Sequence, residues 1–370
     1  MPDPTELRVA LTTEQCWQPV PGGSGTYIVE LTRELAGIEG LAVTGIAARH
    51  HAPPADDWLP AGQVRHSRLP RRLLYDAWQR LPGPRAEVIT GGADVVHATT
   101  WAIPATRRPL VVTVHDLAFL HEPSHFTARG NRYFRRALEQ TRRSARSIIV
   151  PSRSTADDCV TAGLPAAKIT VIPHGSRPEP RTTSDVADFR ARYSLDRDYV
   201  MWCGTIEPRK NLPALLAAFA AAASTLTDVD LVLVGPAGWG DVPVVPSGLA
   251  PERVRMLGHL SRADLHSAYA GAAIFCYPSL REGFGLPVLE AMQHGVPVVT
   301  AQGTACAEVT GDAGVLVDPR DPQDIARALV AAIRERDELS ERSRDRAKDF
   351  TWEASAASTA AAYRDAADAQ

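Results

Sequence analysis

The segment Tyr199-Val-Met-Trp-Cys203-Gly204-Thr205-Ile-Glu207-Pro-Arg209-Lys210-Asn211-Leu212-Pro-Ala-Leu-Leu-Ala-Ala-Phe219 decides the architecture. Five apolar residues suited to a buried strand run into a polar loop, and the loop runs into an apolar helix-forming stretch. That is one β-α step, and it recurs on both sides. Upstream, residues 7–13, 41–47, 94–98, 110–114, 147–150 and 169–173 read as strands. Amphipathic segments such as 26–36 and 129–144 lie between them. The same alternation restarts at Tyr199 and continues through strands at 231–235, 255–257, 273–277, 297–300 and 314–317. Such a pattern implies parallel sheets with helices on both faces. Between the two sets, residues 173–180 hold Pro173, Gly175, Pro178 and Pro180, a linker composition. The expected class is α/β, with two doubly wound, Rossmann-like domains facing across a cleft. They cover residues 1–175 and 197–350, joined by a linker and lead-in over 176–196. Ligands of such sheets sit beyond the carboxyl ends of the strands, so the cleft is the expected site.

The 370 residues, 45% apolar and 22% charged with a net charge of −3, fit two or three domains with sizeable cores. They exclude disordered, collagen-like and disulfide-scaffold classes. The longest apolar run, 212–223, is shorter than the roughly 20 residues a bilayer demands. Met1 to Glu6 is polar and acidic, unlike an export leader, and Cys16, Cys159, Cys203, Cys276 and Cys306 show neither metal nor disulfide spacing. A cytoplasmic protein is expected. Residues 1–175 carry 20 Lys and Arg against 16 Asp and Glu, and the remainder 20 against 27. That mild asymmetry is too weak for a nucleic-acid partner, but suits phosphorylated substrates or an anionic membrane surface. Only three lysines occur, Lys168, Lys210 and Lys348, which sets Lys210 apart.

Four segments carry chemistry. Gly22, Gly23 and Gly25 follow the first strand and open a helix, where bare backbone can approach a phosphate or sugar. Their spacing is not the dinucleotide fingerprint, and a plain βα turn reads equally from these residues. His115 and Asp116 end the strand Val112-Thr-Val114, and His97 ends another; for both histidines a buried structural role is the competing reading. Arg209 and Lys210 precede a helix whose positive end they oppose. An anion between them, such as a diphosphate, would resolve that conflict, and a solvated charged turn is the plainer alternative. In Ser279-Leu-Arg-Glu282-Gly283-Phe284-Gly285-Leu286-Pro287-Val-Leu-Glu290-Ala291, Pro287 should sit in the first helical turn. Glu282 then lies in the glycine loop and Glu290 in the first turn of the helix. Eight helical residues would separate them by about 12 Å, too far for the carboxylate pair of a retaining glycosidase. Gripping hydroxyls suits them better.

Glu282-Gly-Phe-Gly-Leu-Pro-Val-Leu-Glu290 resembles the Glu-x7-Glu motif of retaining glycosyltransferases with the GT-B fold, family 4. The segments at 204–211, 112–116 and 22–25 fall in that family's order, and the resemblance spans essentially the whole chain. It implies that Glu290 binds the ribose of a nucleotide donor, and that Glu282 with the amides of Gly283, Phe284, Gly285 and Leu286 holds the donor sugar. Arg209 and Lys210 would neutralise the diphosphate, so no metal and no resident cofactor is expected. The resemblance gives His115 a contact to the donor sugar, Gly22–Gly25 and Gly204 positions near donor or phosphate, and the backbone at 255–259, ending in His259, the reading of the base. His97, Asp116 and Arg129 are candidates for the acceptor. Thr205 stands where many relatives carry Arg, which would leave Arg209 as the second cation. The last helix, 352–368, would pack back on the first domain. The resemblance points to the mannosyl- and rhamnosyltransferase branch, with GDP-mannose as the favoured donor and a UDP- or dTDP-sugar next. The acceptor would be a small molecule, a glycan or a lipid-linked sugar. A sugar-nucleotide epimerase or phosphorylase, and a non-catalytic nucleotide-sugar binder, are the alternatives from other classes. Arg129, Arg132, Arg135, Arg136, Arg142, Arg143 and Arg146 crowd one expected helix. A peripheral contact with the inner membrane face is one reading of it, and a solvated face the plainer one.

Overall fold

The computed structural model describes residues 6–177, 179–238 and 244–368. The chain divides into two units, one running to Gly175 and resuming at Thr351, the other spanning Ser176–Phe350. Pro178 of the expected linker lies outside the described residues. Residues 176–196 are more than a connection. They contain the helix Thr183–Arg192, started by a reciprocal Thr182–Asp185 capping box and packed on the helix Arg262–Ala270 of the second unit.

The first unit holds β1 (Leu7–Thr12), β2 (Leu41–Ala47), β3 (Gln63–His66), β4 (Val95–Ala98), β5 (Leu110–Thr113), β6 (Ala145–Val150) and β7 (Ile169–Val171). They form one sheet in the order β3-β2-β1-β4-β5-β6-β7, every pair parallel. The second holds β8 (Asp198–Cys203), β9 (Val229–Val234), β10 (Val254–Gly258), β11 (Ile274–Tyr277), β12 (Val298–Ala301) and β13 (Val315–Val317). Their order is β10-β9-β8-β11-β12-β13, again all parallel. Each order reverses beside its first strand, between β1 and β4 and between β8 and β11. In doubly wound sheets that switch point is where ligands bind.

The second core shows why these segments fold as they do. β9 is buried at every position, as a central strand covered on both faces must be. The helix Leu212–Ala222 has Pro213 in its first turn and buries Leu212, Leu215, Leu216, Ala218, Phe219 and Ala222 between β-sheet and the helix Pro322–Arg334. Truncating Phe219, which is fully buried, would cost about 3–5 kcal/mol. In the first unit the last helix, Trp352–Asp368, packs on the helix Gly22–Leu35 and over β4, β5 and β6. Gly175 permits the chain crossing there, since a Cβ on it would sit 2.1 Å from the Trp352 amide nitrogen. β3 is an edge strand that the sequence pattern does not reveal. Its residues Gln63-Val-Arg-His66 contain one apolar side chain, and pairing with β2 defines it. Among the described residues no helix is long and apolar enough to cross a membrane.

Candidate active site

At the switch point of the second sheet, two loops are laced together. Asn211 adopts the left-handed conformation (φ 57°), which Asn tolerates, and its side-chain amide donates to the carbonyls of Pro278 and Pro319 at 3.0 and 2.6 Å. The Leu280 amide donates to the Arg209 carbonyl at 2.8 Å. These ties bring Arg209 and Lys210, after β8, against Glu282, after β11. Lys210 Nζ lies 2.7 Å from Glu282 Oε1, and Arg209 Nη1 lies 2.8 Å from Oε2. Arg209 Nε also donates to Glu207 Oε2 at 2.9 Å, and Lys210 donates to the Tyr277 hydroxyl at the end of β11. The Glu282 side chain is largely withdrawn from water, which by itself disfavours its charge, but the two cations outweigh that and bring its pKa down to about 2.

The carboxylates of Glu282 and Glu207 compensate the two adjacent cations from within the chain. Lys210 is 7% exposed, which excludes a solvated turn. The segment's shape rests on two glycines that the sequence reading passed over. A Cβ on Gly235 would meet the Gly204 carbonyl oxygen at 2.0 Å, and one on Gly238 would meet that of Ile206 at 2.3 Å. Thr205, half-buried, lies in this tight packing of the β8 and β9 loops.

Glu290 stands in a different environment. The helix is Leu286–Gln293 with Gly285 as its left-handed cap (φ 103°), and Glu290 is its fifth residue, just past the first turn in which it is expected. A Cβ on Gly285 would meet Cys306 Sγ at 2.7 Å, so a side chain there is excluded by packing as well as by conformation. The Tyr269 hydroxyl donates to Glu290 Oε2 at 3.0 Å. Burial, with no cation in contact, pushes the Glu290 carboxyl up to about 7. Phe284 is buried against Phe350, with ring centroids 5.9 Å apart, so only its backbone is placed to meet a ligand. His259 is exposed beyond β10, while Arg255 of the same segment ties the carbonyls of Tyr193 and Ser194 at 2.8 Å.

In the first unit, the switch point carries a cavity of about 350 Å³ after β1 and β4, with His115 and Asp116 in its wall. His115 Nε2 donates to the Thr99 carbonyl at 2.9 Å and its Nδ1 faces His174 Nε2 at 3.3 Å; loss of solvent lowers its pKa. Asp116 accepts from the Ala118 amide at 2.9 Å. Gly22 and Gly23 are exposed at the start of the helix Gly22–Leu35, Gly22 with φ 60°, whereas Gly25 is buried against Pro21 and Trp58. His97 is no acceptor ligand. It is fully buried, its Nδ1 2.6 Å from the Tyr363 hydroxyl and its Nε2 2.8 Å from Thr113 Oγ1, and burial brings its pKa down to about 3. It joins sheet to last helix. Arg129 is exposed and pairs with Asp76 at 3.4 Å. Arg146 leaves the basic helix, Ala128–Ser144, for an exposed position in β6.

The chain also holds two Asp-x-Asp triplets, Asp196-Arg197-Asp198 and Asp228-Val229-Asp230. Both sit at the amino ends of β8 and β9, opposite the cation cluster, and Asp230 pairs with Arg253 and Arg197 at 3.2 and 3.5 Å. Among the described residues no group of three or more His, Cys, Asp or Glu is placed to hold a metal.

Residues 21–179 match glycosyltransferase family 4, and residues 197–335 match the group 1 glycosyl transferases. The chain is 30% identical to the O-antigen chain mannosyltransferase B of Escherichia coli, over 97% of this chain and all of that protein. It is 31% identical to a D-inositol 3-phosphate glycosyltransferase of Geodermatophilus obscurus, over 94% and 85% of the two chains. Its fold matches sucrose-phosphate synthase of Thermosynechococcus elongatus (TM-score 0.74, 20% identity, 99% and 100% covered). It also matches Anabaena HepE, solved with UDP and glucose (TM-score 0.73, 20% identity, 96% and 98% covered). Two parallel-sheet units with these motifs and this likeness over the full chain place the protein among the GT-B glycosyltransferases, and it belongs to family 4.

Proposed function

We propose that the enzyme transfers a mannosyl residue from GDP-mannose to a hydroxyl of an acceptor sugar, with retention at the anomeric carbon and without a metal. The observation that carries this reading is the Arg209–Glu282–Lys210 cluster at the switch point of the second sheet. A leaving nucleoside diphosphate gathers charge as the glycosidic bond breaks, and preorganised cations meet that charge in the transition state. In this reading Arg209 and Lys210 turn from Glu282 to the diphosphate, and Glu282 is released toward the donor sugar's hydroxyls. Glu290, beside Tyr269, takes the ribose hydroxyls. The amides at 283–286 and the helix start behind Gly285 favour the same anionic ligand. Mannose is supported by the full-length likeness to the Escherichia coli mannosyltransferase. A UDP-linked hexose is the second reading, favoured by the Anabaena neighbour solved with UDP-glucose.

The test is direct. Purified enzyme is given GDP-mannose, UDP-glucose or dTDP-rhamnose with alkyl glycoside acceptors, and the product's anomeric configuration is read by NMR. Transfer from GDP-mannose to give an α-linked product supports the proposal. Exclusive use of a UDP-sugar, or inversion, contradicts it.

A further inference from the structure

The cavity at the first switch point has a neighbour of opposite chemistry. Its own wall is aromatic with one carboxylate, Trp101, Phe119 and Phe134 standing beside Gln15, Gln18 and Asp116, and neither Lys nor Arg lines it. The adjoining cavity, about 390 Å³, is lined by Arg71, Arg72 and Arg129, with Asp76 as its single carboxylate. Tyr75 and Tyr133 belong to both walls, their rings stacked at 6.0 Å and 26°. The two spaces adjoin at this pair of rings, and together they make a groove that is aromatic with one carboxylate at one end and cationic at the other. Arg71 spans the division, since its guanidinium donates to Gln18.

The placement of these cations runs against helix electrostatics. Arg71 and Arg72 open the helix Arg71–Arg80, and Arg129 is the second residue of the helix Ala128–Ser144. All three stand at the end of a helix where its dipole is already positive. Asp76 meets Arg129 alone, at 3.4 Å, and Arg72 and Arg129 are exposed. Three guanidinium groups against one carboxylate leave room for an anion, and their planar forks match phosphate oxygens.

We propose that the groove binds an acceptor in which a phosphate adjoins the sugar. The sugar lies in the aromatic half, its hydroxyls within reach of Asp116 and Gln15, and the phosphate lies on Arg71, Arg72 and Arg129. This rests on the reading of the chain as a sugar transferase that takes its acceptor on the first unit. A phosphomonoester of a soluble sugar and a phosphodiester to a lipid share this chemistry.

Isothermal titration with three probes tests it: octyl α-mannoside, mannose 1-phosphate and octyl α-mannosyl phosphate. Both phosphate-bearing probes should bind the wild-type enzyme at least about tenfold more tightly than octyl α-mannoside, as charge-assisted phosphate contacts imply. The double variant Arg72→Gln, Arg129→Gln should lose that advantage while keeping its melting temperature and its affinity for octyl α-mannoside. Asp76→Asn should tighten the phosphate probes, a check independent of the double variant's folding. Tighter binding of mannose 1-phosphate than of its octyl ester assigns a soluble acceptor, and the reverse order a lipid-linked one. A wild-type enzyme that does not distinguish the mannoside from its phosphates overturns the proposal, as does a double variant that keeps the preference. Failure of the transferase reading is separate: phosphate-dependent binding would persist while no nucleotide sugar supports transfer.

Discussion

Glu282 and Glu290 lie eight residues apart, one in a glycine loop and one inside the following helix, and their surroundings drive them in opposite directions. Glu282 is held between Arg209 and Lys210, and its carboxyl falls to about 2. Glu290 is half-buried beside the Tyr269 hydroxyl with no cation in contact among the described residues, and loss of solvent raises its carboxyl to about 7. Glu282 is therefore a fixed charge that sets the position of two cations. Glu290 is a titrating acceptor, able to gain or lose a proton near neutrality. One short motif thus holds two carboxylates in opposite electrostatic states, and the difference comes from their partners rather than their type.

Breaking the cation side should have the largest effect. Lys210→Met and Arg209→Met should each lower kcat by about 100- to 1000-fold, the cost of losing one preorganised donor to a developing charge. Thr205→Arg should alter kcat modestly and partly rescue Arg209→Met. A near wild-type Arg209→Met would place the second phosphate partner elsewhere. The glutamates come next. Glu282→Ala should reduce kcat while free-nucleotide affinity survives, whereas Glu290→Ala should chiefly weaken nucleotide binding, by about 10- to 100-fold. Equal loss of nucleotide affinity in both variants would erase the contrast.

Acidity sharpens the comparison further. If ionised Glu290 accepts the ribose hydroxyls, nucleotide affinity should rise about tenfold per pH unit toward pH 7 and then level off, a dependence that Glu290→Gln removes. Stability should run the other way. A carboxyl raised from 4.5 to about 7 binds more protons folded than unfolded, so its contribution is complete below 4.5 and is lost as pH rises through 7. Glu282, lowered to about 2, contributes above 4.5 and loses its contribution as pH falls through 2. The smallest effect is expected from metal removal: turnover in EDTA should equal turnover with magnesium or manganese, and a collapse restored by one metal would contradict the assignment of the diphosphate charge to Arg209 and Lys210.

The sheets were legible because β-α alternation is written in runs of Val, Ile and Leu, and the strands of both switch points stand out in that way. β3 was not, since an exposed edge strand of Gln, Val, Arg and His is specified by its pairing with β2 and by little of its own. The charged and glycine residues of the site were visible through their conflict with helix dipoles and through the family motif. Their partners were harder to see. Tyr277 and Tyr269 read as ordinary strand and helix residues, and only folding brings them to Lys210 and Glu290. His97 misled for the converse reason: a strand-end histidine reads as a ligand until Tyr363, 266 residues later, is found on its ring.

Carbon-detected NMR of glutamate side chains, assigned with Glu282→Gln and Glu290→Gln, reads the opposed states of the two carboxyls in the free enzyme. A resonance titrating near pH 7 that vanishes in Glu290→Gln, together with a Glu282 signal that stays ionised down to about pH 3, is the predicted result. Titration of both groups between pH 4 and 5 would contradict it.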